Sequence, residues 1–188
     1  MKKILTIIFL LFLLIIVADS KTERQEILDE ILEQVDTEEV KNIVKEGTYL
    51  VVKVVDGDTL DVLVNKKTKR VRVIGIDTPE AVDPRRDVEC FGVEASNKAK
   101  ELLDNKYVSL ETDDSQALID KYGRLLRHVI LSDSSNFAEL MISGGFAREY
   151  TFIKPSKYQV IFTQAEISAK SNKNGLWADG VCDNYKNR

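Results

Sequence analysis

Tyr49-Leu50-Val51-Val52-Lys53-Val54-Val55-Asp56-Gly57-Asp58-Thr59-Leu60-Asp61-Val62-Leu63-Val64 holds two runs rich in β-branched residues, joined at Asp56-Gly57-Asp58. Such runs favour strands, and Asp-Gly supplies the positive backbone angles of a tight hairpin. A third run, Lys69 to Ile76, follows the polar turn Asn65-Lys66-Lys67, so three successive antiparallel strands are expected.

Further along, Val93 to Leu103 has helical spacing, Tyr107 to Glu111 and Arg124 to Leu131 read as two more strands, and Phe137 to Ile142 and Lys157 to Asn172 read as helices. Five short strands with interspersed helices predict an α+β fold, mainly a five-stranded Greek-key barrel of the oligonucleotide-binding (OB) class with three helices. At 188 residues the chain has room for one such core.

Ahead of the barrel, Lys2 and Lys3 precede fifteen residues, Ile4 to Ala18, that are apolar except for Thr6. This is short for a spanning helix and suits a signal peptide, with Ala18-Asp19-Ser20 as a small-x-small cleavage site. The alternative is an uncleaved anchor tethering the chain to a membrane through residues 4–18. Residues 22–45 read as a helical spacer, with Ile27, Leu28, Ile31, Leu32 and Val35 at helical intervals and Thr22 with Gln25 as a capping box. The expected organisation is therefore a signal or anchor (1–20), a spacer (21–46) and one domain (47–188), secreted or facing outside.

With 27 basic and 31 acidic residues, the chain has no general attraction for nucleic acid. Any phosphate recognition must come from a few local cations. His128 is the only histidine, which leaves little for a serine–histidine triad or a histidine-rich zinc site. Cys90 and Cys182, the only cysteines, are either a disulfide in an oxidising compartment or two free thiols.

The remaining polar residues at strand ends are carboxylates and arginines. Asp58 in the first hairpin and Asp77 in Asp77-Thr78-Pro79-Glu80 would be neighbours in a meander. Carboxylates crowded together without histidine or thiolate call for a hard cation, Ca²⁺ or Mg²⁺. Taken singly, Asp-Gly is also an ordinary turn and Thr-Pro an ordinary strand ending. Arg72 and Arg124 carry the planar fork that matches two phosphate oxygens, although strand arginines are often merely exposed.

In order, Asp56-Gly57-Asp58-Thr59, Arg72 to Ile76, Asp77-Thr78-Pro79-Glu80, Gly92-Val93-Glu94-Ala95-Ser96, Asp120-Lys121-Tyr122-Gly123-Arg124 and Gly175-Leu176-Trp177 resemble the staphylococcal-nuclease-like (thermonuclease) proteins over residues 48 to 180. The resemblance implies a Ca²⁺-dependent endonuclease, acting on DNA and RNA as a monomer and leaving 5′-hydroxyl and 3′-phosphate ends. It implies Asp58 and Asp77 as side-chain ligands of calcium, Thr78 as a carbonyl ligand, Glu80 as general base, Arg72 and Arg124 as phosphate-stabilising cations, and Lys121 and Tyr122 as nucleotide contacts. The alternative on the same barrel is a non-catalytic nucleic-acid-binding module.

One stretch departs from the family pattern of two tyrosines just before Lys-Pro. Counting back from Lys154-Pro155 puts Thr151 and Ile153 at those places and shifts Tyr150 and Phe152 by one, so base stacking is not carried over. Trp177 is expected to pack near the C-terminus.

Overall fold

The computed structural model describes residues 47–82, 87–152 and 154–182. The expected signal or anchor and the helical spacer lie outside the described residues. Gly47–Arg188 forms a compact unit of its own.

Strand β1 (Thr48–Asp56) pairs antiparallel with β2 (Thr59–Val64), and β2 with β3 (Lys67–Val73). β5 (Tyr107–Glu111) pairs with β1 and with β6 (Leu125–Ile130), and β6 runs parallel to β3, closing a five-stranded barrel in the order β1-β2-β3-β6-β5. Period-2 alternation aims Val51, Leu60, Val62, Val71, Val73, Val108 and Val129 inward, all essentially inaccessible. Burying each such side chain contributes about 1.5–3 kcal/mol, which makes this barrel the rigid frame for the residues at its strand ends.

Three helices close the barrel. In α1 (Gly92–Leu103) the buried positions Gly92, Ala95, Ser96, Ala99 and Leu103 form one helical stripe of small residues, which lets the helix approach the sheet closely. α2 (Phe137–Ser143) is capped by Asn136, whose side-chain oxygen accepts from the amides of Ala138 and Glu139. α3 (Gln159–Ser171) buries Phe162 and Ala169, and a single 3₁₀ turn, Gly175–Trp177, follows it. The fold class expected from sequence is the one observed.

The third run does not remain one strand through Ile76. β3 ends at Val73, and Ile76–Asp77 is a separate strand, β4, paired with β7 (Arg148–Glu149) in a two-stranded ribbon. The break is at Gly75, with φ +85°, where an added Cβ would lie 2.4 Å from the ring of Phe162. Only glycine takes that angle without cost and leaves the ring its room. The turn redirects the chain so that Asp77 faces the end of the barrel instead of extending along its wall.

Candidate active site

Gly57 and Asp58 form the two-residue turn between β1 and β2, with Asp56 opposite Thr59. Gly57 has no room for a side chain, since a Cβ there would meet Thr78 at 2.7 Å. The absent methyl lets the Asp77-Thr78-Pro79-Glu80 segment settle onto the hairpin. Asp58 is thereby buried, its Oδ1 accepting from the Thr59 hydroxyl at 2.8 Å and its Oδ2 from the Thr78 amide at 3.3 Å.

Arg72 ties these pieces together. Its Nη2 lies 3.1 Å from Asp58 Oδ2 and 3.3 Å from Asp77 Oδ1, and its Nη1 donates to the carbonyls of Val73 and Ile76 at 3.0 and 2.8 Å. Both carboxylates thus stand within reach of one nitrogen. The break at Gly75 is what brings Asp77 to the same guanidinium as Asp58.

Asp56 and Glu80 form a second acidic pair beside the first. Burial pushes the Asp56 carboxyl up to about 7; the Gly57 amide opposes this, while a hydrogen bond with Glu80 and the charges of Asp58 and Glu80 reinforce it. Asp77 is raised as well, by burial and by Asp58, against the pull of Arg72. The Glu80 carboxylate also accepts from the Val82 amide at 2.9 Å. Asp56 was visible in the sequence as the first carboxylate of Asp56-Gly57-Asp58, but nothing there announced its partner Glu80, 24 positions away.

These groups fit a hard cation. The donors are all oxygen, four carboxylates (Asp56, Asp58, Asp77 and Glu80) gather near Arg72, and the buried Thr78 hydroxyl has no hydrogen-bond partner. Among the described residues no three acidic, histidine or cysteine side chains gather tightly enough to enclose an ion alone. Asp58 and Asp77, both within reach of Arg72, are the side chains that could hold an ion there, and most of its ligands would then be backbone, water or phosphate oxygens.

Beside Asp77 opens a cleft of about 680 Å³, whose wall includes Arg72, Lys121, Tyr122, Arg124, Tyr150 and Phe152. Arg124 is held from one edge only: its Nε meets Asp120 Oδ2 at 2.6 Å, and its backbone amide and that of Tyr122 donate to Asp120 Oδ1, both at 2.9 Å. Burial would push the Asp120 carboxyl up, but these donors hold it below its ordinary range. Lys121 Nζ and the Arg124 guanidinium stand 5.0 and 5.3 Å from the exposed ring of Tyr122. The structure therefore gathers Arg72, Asp77, Lys121, Tyr122 and Arg124 on one cleft, with Asp58 joined through Arg72, while Glu80 pairs with Asp56, which does not line the cleft. Asp58, Thr78 and Glu80 do not themselves line it.

The departure before Lys154-Pro155 has a structural resolution. Tyr150 and Phe152 both face the cleft, with ring centroids 6.3 Å apart. The two aromatic side chains that stand one place off the family spacing are therefore both at the cleft wall. Gln116 Nε2 donates to the Lys154 carbonyl at 2.8 Å and the Ser115 hydroxyl to that of Pro155 at 2.9 Å, which fastens this segment to the Lys121 loop. His128 is fully buried away from the cleft, its Nε2 paired with Asp113 Oδ2 at 3.0 Å. Trp177 packs between Arg148 and Lys170. Cys90 and Cys182 form a disulfide, Cα atoms 5.8 Å apart.

A small barrel with Asp77, Arg72, Arg124 and Lys121 on one cleft presents the groups that phosphodiester hydrolysis needs, and its relatives place it in that class. Residues 70–179 match the model of the staphylococcal nuclease homologue family. The thermonuclease of Staphylococcus hyicus is 39% identical over 134 residues, covering 71% of this chain and 78% of its own. That of Staphylococcus intermedius is 38% identical with the same coverage. Endonuclease YncB of Bacillus subtilis (strain 168) is 38% identical over 125 residues, covering 66% of this chain and 58% of its own. The chain belongs to the staphylococcal nuclease homologue family and is a nuclease.

Proposed function

We propose that the chain is a calcium-dependent endonuclease that hydrolyses DNA and RNA to 5′-hydroxyl and 3′-phosphate ends. The observation that carries this reading is the single guanidinium, Arg72, within 3.1 Å of Asp58 and 3.3 Å of Asp77, at the edge of a cleft that also holds Arg124.

Asp58, Asp77 and the Thr78 carbonyl would hold the ion; when bound, Ca²⁺ supplies positive charge that draws electron density from a phosphate oxygen. Glu80 orients a water and takes its proton as the water oxygen attacks phosphorus, and the bond from phosphorus to the 5′ oxygen breaks, that oxygen leaving with the electron pair and taking a proton from solvent. Arg72 and Arg124 meet the phosphate oxygens as charge builds on them, a kind of contact whose loss typically costs about 3 kcal/mol of transition-state stabilisation. Asp120 orients Arg124 by its Nε edge and leaves its terminal nitrogens for the phosphate. Lys121 and Tyr122 bind the nucleotide phosphate, and Tyr150 and Phe152 offer π-faces to bases. One chain supplies every one of these groups, so a monomer suffices.

We propose further that it works outside the cell, released or tethered. The basis is the Lys2-Lys3 start of an apolar run ending at Ala18, together with a disulfide suited to an oxidising compartment.

Plasmid and RNA digestion by the full chain tests the proposal, with Ca²⁺, Mg²⁺ or chelator, beside Glu80→Gln. The expected result is cleavage with Ca²⁺ only and a large loss in the variant. Undiminished cleavage in chelator refutes the metal dependence, and nucleic-acid binding without cleavage refutes the catalytic reading.

A further inference from the structure

Glu80 needs its backbone fixed if its carboxylate is to hold a water in one place, and its backbone is held by a residue outside the acidic cluster described above. The Glu80 amide donates to Glu89 Oε2 at 3.2 Å, and the Glu89 amide donates back to the Glu80 carbonyl at 2.8 Å. The two residues grip each other in both directions across nine positions. From the other side α1 begins against the same carbonyl, since a Cβ on Gly92 would lie 2.6 Å from Glu80 O.

Glu89 is itself anchored. Its neighbour Cys90 is bonded to Cys182, 92 positions on, and Phe91 takes a left-handed turn, φ 68°, that lays its ring 5.6 Å from Phe146. A covalent bond to the C-terminal segment and an aromatic contact to the residues after α2 thus fix the chain immediately after Glu89. Without them, the reciprocal hydrogen bonds would have less to keep Glu89 in place, and each is worth only a modest net amount.

We propose that Glu89 is a positioning residue for Glu80, and that the Cys90–Cys182 disulfide keeps it in place. The inference rests on the reading of Glu80 as the base. It concerns the orientation of Glu80, so it predicts a change in turnover and not in substrate affinity. A displacement of the order of 1 Å in a catalytic group can cost up to about a hundredfold in rate.

The test uses the full chain. Glu89→Ala removes the acceptor for the Glu80 amide, and Glu89→Gln keeps an oxygen there. Glu89→Ala is expected to lower kcat about tenfold or more with KM within about twofold, and to speed hydrogen exchange at the Glu80 amide, measured by NMR without added metal, about tenfold. Glu89→Gln is expected to restore both. The pair Cys90→Ser/Cys182→Ser, checked by its melting curve, is expected to give the same signature in weaker form.

Wild-type kcat in Glu89→Ala, or a loss of kcat with Glu80 exchange unchanged, overturns the inference. Glu80→Gln tells its failure from that of the underlying reading. An inactive Glu80→Gln beside a fully active Glu89→Ala removes Glu89 alone. A fully active Glu80→Gln removes the base, and this inference with it.

Discussion

Arg72 Nη2 stands 3.1 Å from Asp58 Oδ2, a contact between two side chains that are each mostly buried. Asp58 comes from the β1–β2 turn and Arg72 from β3, which pairs with β2, and the same guanidinium reaches Asp77 and two backbone carbonyls. Lysine, a point charge on a flexible stem, cannot reproduce a fork with that many directed bonds. Arg72→Lys is therefore expected to lose kcat nearly as severely as Arg72→Ala, by about a hundredfold or more. Steady-state kinetics on a defined oligonucleotide checks this, and a lysine variant within threefold of wild type contradicts it.

The aromatic pair at the cleft gives a prediction of a different kind. Phe152 is 73% exposed and stands beside Tyr150 with little protein around it, so its ring is free for a base. Stacking contributes about 1–3 kcal/mol per base, so Phe152→Ala is expected to raise KM about five- to hundredfold and leave kcat close to wild type. A fall in kcat at unchanged KM would assign Phe152 to the chemistry instead.

Gly75 marks where sequence reading stopped. Val71, Val73, Ile74 and Ile76 form a β-branched run with only Arg72 and Gly75 between them, which is why one strand is expected there; the break depends on φ at Gly75 and on Phe162, a ring from a helix 87 positions away. The β4–β7 ribbon is two residues long on each side, below what periodicity can signal. The barrel strands and all three helices were legible because each carries several turns or alternations of its own. The site was legible in its residue types and order, but the Asp56–Glu80 pair, the Glu80–Glu89 grip and the cleft-facing Phe152 were not. Each of these depends on contacts between separate segments. Gly75→Ala is expected to destabilise the fold by about 2–4 kcal/mol, from a strained backbone and a displaced Phe162, and a thermal melt reads it.

Acid is expected to loosen the wall beside the cleft, where Asp113 accepts from Ser115 and from the Lys157 amide. Burial holds His128 below its ordinary value of 6.5, against the upward pull of the Asp113 carboxylate. Asp113 is held below its ordinary 3.8 by His128 and by the Lys157 and Ser115 amides, which together outweigh its burial. Glu111, Lys157 and Tyr158 complete the charged and titratable surroundings. The unfolded chain binds the histidine proton more readily than the folded one, so the stability that neutral His128 contributes is lost as pH drops below about 6.5, while Asp56, raised to about 7, binds its proton more readily in the fold and acts in the opposite sense; the Asp113 contribution is lost further down, below 3.8. Melting temperatures from pH 7.5 to 4.5 are expected to decline less steeply in His128→Gln, which does not titrate. Parallel curves for the two proteins would contradict the assignment.

Removing the disulfide tests the C-terminal attachment. A cross-link spanning 92 positions restricts the unfolded chain strongly, and its loss is expected to cost about 2–5 kcal/mol. Chemical denaturation of Cys90→Ser/Cys182→Ser against the oxidised wild type measures it.

Arg72 and Arg124 both line the cleft, one on β3 and the other just ahead of its neighbour β6, and the central proposal is that they act on one phosphate; a double-mutant cycle on kcat tests that most directly. Two groups that stabilise the same charge are coupled, so the loss in Arg72→Ala/Arg124→Ala is predicted to fall well short of the product of the single losses. Wild-type kcat in either single variant, or a double loss equal to that product, would contradict it.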